Sequence, residues 1–210
     1  MRSMSFYLDI ALRRVQRRFG WYVAAAAWSL LTAAFGVYAA DELSAVQRSD
    51  LLGYLGGFLG ALQHGLPSGP ALMRAALAAD GRLLLVSWLL SLAVVGVVAG
   101  WLWLALKGFA IGFASAFLLG ELGGRGLILV LLGVLPPALL LLPSIWLLTE
   151  AAAQYASDFY RARLRTPAML MALVRFAGSG AIAATGIVLA AMAEAYISPL
   201  ALHALWPYVG

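Results

Sequence analysis

Two ionisable residues stand where the chain is otherwise apolar. Glu194, in the stretch AEAYISP, lies near the end of a long hydrophobic run, and a carboxylate inside a bilayer costs enough to mark a functional position. Lys107, the only lysine of the chain, opens KGFAIGFASAFLLG, in which Gly108, Gly112, Ala116 and Gly120 recur every fourth residue. Lys107 stands at the cytoplasmic face of the spans and Glu194 near the outer end of the last one, and the small residues offer close helix packing. Glu194 also fits blander roles: interfacial, protonated, or paired with an outer arginine such as Arg82 or Arg125. Tyr196 and Pro199 mark the membrane boundary beside it.

Other chemistry lacks its parts. His64 and His203 are the only histidines, and no HExxH, Ser/Lys dyad or pair of intramembrane aspartates accompanies them. Cysteine is absent, which removes thiolate metal sites and disulfides. The glycines do not form GxxxxGK followed by Ser or Thr, so no phosphate loop is read. The residues therefore point to no catalytic set, no cofactor and no metal, and to a non-enzymatic role.

The elements that position these residues follow from composition. Of 210 residues, 64% are hydrophobic and 11% charged, outside the range of soluble domains. A helix needs about 20 mainly apolar residues to cross a bilayer, and the apolar runs here are too long for barrel strands. The sequence predicts an all-α, polytopic integral membrane protein forming one domain over 1–210. The net charge of +5 reflects arginines beside apolar segments, where anionic headgroups account for them, so nucleic acid is not a partner and membrane lipid is.

Residues 1–19 read as an amphipathic cytoplasmic helix at the interface, with Met4, Leu8, Val15 and Phe19 on one stripe. Arg13, Arg14, Arg17 and Arg18 then precede the first span, 20–40, which places the N-terminus in the cytoplasm. Residues 41–82 form an external segment with short helices, of which Leu51 to Leu62 is too short to span and lies on or dips into the outer leaflet, with Pro67 to Pro70 breaking it from the next. The second span is 83–106, the third 107–122 and the fourth 127–149. A basic cytoplasmic segment, 150–175, leads to the fifth span, 176–197, and to an external tail, 198–210. This topology puts ten basic residues inside and four outside. Its weak element is the third span, since Gly108 to Gly120 covers only about 20 Å; a re-entrant hairpin is the alternative, at the cost of the charge bias.

Small residues every fourth position let helix backbones approach closely in lipid. The strip from Gly108 to Gly120 is a packing face, seating its helix within the chain or against a second copy. Pro136, Pro137 and Pro143, in VLPPALLLLP, each remove a backbone donor and kink or break the fourth span.

Three blocks, KGFAIGFASAFL, VLPPALLLLP and EAYISP, follow in this order after an arginine-rich start. In this combination the chain resembles the stage II sporulation protein M family over nearly its whole length, with Ala138 standing where members commonly carry a polar residue. The resemblance implies a membrane scaffold of the mother cell during engulfment of the forespore. It would gather a lytic transglycosylase (SpoIID) and an amidase (SpoIIP) at the septal membrane for peptidoglycan remodelling. The expected assembly is a homodimer in the bacterial cell membrane. A transporter or permease-like subunit built on the kinked fourth span is the competing expectation.

Overall fold

The computed structural model describes residues 18–64, 69–92, 95–162 and 166–198, and all regular structure among them is helical. Helix α1 is Phe19–Asp41, α2 is Ala45–His64, α3 is Gly69–Leu92 and α4 is Gly96–Leu122. The short α5, Gly124–Leu129, continues through a π-helical segment, Val130–Val134, into α6, Leu135–Ala162. Helix α7, Thr166–Met192, ends in a second π-helical segment, Ala193–Ile197. Five of these stretches are long and apolar enough to cross a membrane: Phe19–Asp41, Gly69–Leu92, Gly96–Leu122, Gly124–Tyr160 and Met169–Tyr196. The all-α, five-span architecture is therefore as expected. The expected helix over 1–19, the Pro67 break and the tail from Pro199 onward lie outside the described residues.

The span boundaries differ from expectation in two regions. The expected 150–175 segment is largely helical, α6 running to Ala162 and α7 starting at Thr166, and the second and third spans are shifted. The turn expected near Lys107 is absent, and α4 runs unbroken from Gly96 to Leu122. The preceding span starts at Gly69 rather than 83, so Arg74, Asp80 and Arg82 belong to a long helix and not to an external segment with a second short helix. Helix α3 ends at Leu92 and α4 begins at Gly96. These charges lower the local hydropathy enough to disguise a span, and an ion pair described below neutralises one of them, Asp80. The third span is thereby 27 residues long, about 40 Å of helix, and needs no hairpin to explain it.

Two helix pairs build the bundle, α1 running parallel to α4 and α6 antiparallel to α7. Helices α1 and α4 lie along one another for most of their length, as do α6 and α7, and α3 packs against α4, α6 and α7. Trp103, Leu104, Ile145, Leu148 and Ile187 fill the centre between the pairs. The indoles of Trp21 and Trp28 meet Trp101 edge-on at 5.5 and 6.0 Å, and the Trp28 indole donates to the Trp101 carbonyl at 3.1 Å. A second cluster forms where Trp88 stacks on Phe176 at 5.8 Å beside Tyr155.

Gly123 turns α4 into α5. Its φ of +55° lies where L side chains are strained, and its N–H closes the helix on the Leu119 carbonyl. Gly126 then approaches the Leu118 carbonyl so closely that a Cβ would fall on it.

Candidate functional site

Three charged residues of the spans, Asp80, Lys107 and Glu194, come from three elements. Asp80 lies at the middle of α3 and is 7% exposed. Lys107, near the middle of α4 and half-buried, forms an ion pair with it through Nζ and Oδ1. A lone ammonium or carboxylate at this depth is costly, and pairing across two helices removes most of that cost. Glu194 sits, exposed, in the second π-helical segment, which packs against α3. Neither Arg82 nor Arg125 pairs with Glu194. Asp80 is the buried, paired charge that the sequence reading left outside the spans. The available signal was Lys107 itself, since the only lysine inside an apolar helix demands a buried acid on a neighbour.

The small-residue strip has two different halves. A Cβ on Gly108 would collide with Thr32 and the Ser29 carbonyl, and one on Gly112 with the Ala33 carbonyl. Gly36 on α1 answers them from the other side, against the Phe109 carbonyl and the Phe113 nitrogen. These glycines seat α4 on α1 of the same chain. Ala116 is half-buried beyond that crossing, and around Gly120 nothing stands within 4 Å. The wider strip continues toward the start of α4, where Gly100 faces Thr149 of α6.

The prolines act with a hydroxyl from elsewhere. In an α-helix the N–H of residue 137 would bond the carbonyl of residue 133, and Pro137 has no N–H to give. The chain widens into the π-helical segment Val130–Val134, whose closing N–H, from Leu135, reaches the Val130 carbonyl. The Gly133 carbonyl instead accepts from the Ser198 hydroxyl at 3.4 Å. Pro143 lies inside α6 and is exposed, so its missing donor falls on the outer side of the helix. Ala138, buried at 6% exposure, packs in the interior without any polar group.

At the α2 end, Arg48 pairs with Glu121 at 2.6 Å and ties α2 to the last turn of α4. Otherwise α2 stands off the bundle: Val46, Leu52 and Tyr54 are exposed, Tyr54 at 80%, and Gly53, Gly56 and Gly57 have no neighbour within 4 Å of a would-be Cβ. The Tyr196 ring lies over Gly69, at the start of α3. At the opposite end Arg18 faces the buried Glu150 at 3.8 Å, and Arg175 pairs with Asp158 at 3.0 Å.

The three sequence blocks thus converge. The first contributes Lys107, the second Gly133 through its prolines, and the third Glu194 and Ser198. No curated protein and no solved structure matches the chain. The sequence profile described as Stage II sporulation protein M matches residues 19–199, which include all three blocks and every described helix, and the chain belongs to that family.

Proposed function

We propose that this protein is a non-enzymatic membrane scaffold that recruits peptidoglycan hydrolases, a lytic transglycosylase and an amidase, to the septal membrane during engulfment. The observation that carries this reading is α2. A helix whose described residues join the bundle through the Arg48–Glu121 ion pair, with Val46, Leu52 and Tyr54 exposed, offers contact area for a partner. The orientation that suits such partners has the N-terminus in the cytoplasm and α2 outside. Arg13, Arg14, Arg17 and Arg18 before α1, with Arg161 at the end of α6 and Arg163 and Arg165 following it in sequence, favour that orientation by the positive-inside rule. With Gly108 and Gly112 occupied by α1, the free end of the strip at Gly120 and the exposed glycines of α2 are the surfaces left for a homodimer contact.

Co-purification in mild detergent tests the reading. The tagged protein is expected to retain the transglycosylase or the amidase encoded in the same genome, and an unrelated five-span control to retain neither. Loss of both partners in every mild detergent would contradict it. A transporter or permease-like role is the second reading, favoured by the charges inside the bundle; substrate-dependent flux in proteoliposomes would support it.

A further inference from the structure

A furrow runs along the seam between α6 and α7, and its two halves meet at Ile182. The first half, about 240 Å³, opens between Gln154 and Asp158 of α6 and Arg175 and Gly178 of α7, over a floor that includes Tyr155 and Phe176. The second half, about 420 Å³, continues between Pro143 and Leu147 of α6 and Gly186 and Leu189 of α7. These positions recur at three- and four-residue steps, so they form one stripe on each helix of the antiparallel pair. Gly178 keeps the first half open, since a Cβ there would meet nothing within 4 Å.

The furrow changes character along its length. Its first half carries one charge of each sign, the exposed Arg175 and the half-buried Asp158, paired at 3.0 Å. A guanidinium has more N–H donors, and a carboxylate more lone pairs, than one contact uses, so this pair can still meet a ligand of both signs. Both residues lie near one end of the membrane-crossing stretches Gly124–Tyr160 and Met169–Tyr196, at the depth of lipid headgroups. Beyond Ile182 the lining is apolar apart from Ser144 and Thr185. Their hydroxyls donate within their own helices, to the Leu140 and Ala181 carbonyls. From Arg175 to Leu189 the helix rises about 21 Å. The hydrocarbon of one leaflet is about 15 Å deep, so the apolar trough reaches as far as the chains of that leaflet do.

We propose that this furrow binds one phospholipid with a zwitterionic headgroup, its phosphate on Arg175, its ammonium on Asp158 and an acyl chain along the trough past Ile182. Charge complementarity selects this occupant. An anionic lipid without an amine satisfies Arg175 but brings nothing for Asp158, and a second copy of a membrane helix would bring no charge of either sign to an apolar trough that ends within the bilayer. The site stands on neither functional reading above, since a scaffold and a transporter would both present it to the membrane.

Native mass spectrometry of the full-length protein in mild detergent tests this, after delipidation and titration with phosphatidylethanolamine or phosphatidylglycerol of identical acyl chains. The wild type is expected to bind phosphatidylethanolamine about tenfold more tightly, the worth of one added charge-assisted hydrogen bond. Asp158→Asn is expected to bring the ratio of the two affinities close to one, and Arg175→Gln, which removes the contact to the phosphate common to both lipids, to weaken both by about tenfold. Gly178→Phe, whose ring would fill the open first half, is expected to weaken both as well. No preference in the wild type, a preference that survives Asp158→Asn, or undiminished binding of both lipids by Gly178→Phe protein would each overturn the site. A Gly178→Phe variant that changes oligomeric mass while keeping its lipid would make the furrow a contact between copies, and would overturn it too. Should a variant fail to fold, the wild-type comparison of the two lipids decides by itself.

Discussion

At the scale of single residues, burial and neighbours decide which of the conspicuous positions matter. Lys107 and Asp80 neutralise each other inside the bundle, so removing one leaves the other buried and uncompensated. Lys107→Met is expected to destabilise the protein by about 3–5 kcal/mol. Combining it with Asp80→Asn is expected to recover most of that loss, read from thermal midpoints of the single and double variants. Additive losses would mean that the two charges do not act as a pair. The glycine strip makes a similar distinction. Gly112 faces the Ala33 backbone, whereas Gly120 faces open space. Gly112→Leu is expected to cost about 1–3 kcal/mol of stability through overpacking against α1, and Gly120→Leu to leave the thermal midpoint unchanged. Equal effects of the two substitutions would deny that the strip divides at Ala116.

At the scale of elements, the helices are read easily and their ends are not. Hydropathy alone marks α1, α6 and α7, because their apolar runs are uninterrupted and arginines flank them. The start of α3 is hidden by Arg74, Asp80 and Arg82, and the continuity of α4 by Lys107, because a sequence scan counts each charge as a boundary while the fold counts a neutral pair. Proline positions are legible as breaks, yet the remedy is not: the hydroxyl that meets the Gly133 carbonyl comes from Ser198, 65 residues away. This bond has a separable consequence. Ser198→Ala is expected to cost about 0.5–1.5 kcal/mol, the net worth of one hydrogen bond. In a Pro137→Ala background, where residue 137 regains an N–H for the same carbonyl, the cost is expected to fall toward zero. A double-mutant cycle on thermal stability measures the coupling, and zero coupling would separate the prolines from Ser198.

At the scale of the whole molecule, the bundle has two unlike ends. One gathers arginine around Arg18, Glu150, Asp158 and Arg175; the other carries α2, the Arg48–Glu121 tie and the Gly123 turn. Because the chain has no cysteine, single cysteines report orientation without background. Tyr54→Cys is expected to react with a membrane-impermeant thiol reagent on intact cells, and Tyr160→Cys only after permeabilisation; the reverse pattern would invert the topology. The scaffold reading then reduces to whether α2 meets a cell-wall hydrolase. The most direct measurement places a photo-crosslinking residue at Tyr54 on α2 and, as a control, at Leu139 on the lipid-facing side of α6, in cells at the stage of engulfment. The account predicts crosslinks from position 54 to the transglycosylase or the amidase and none from position 139. Crosslinks to neither hydrolase from position 54, with both hydrolases present in the same membranes, would contradict it.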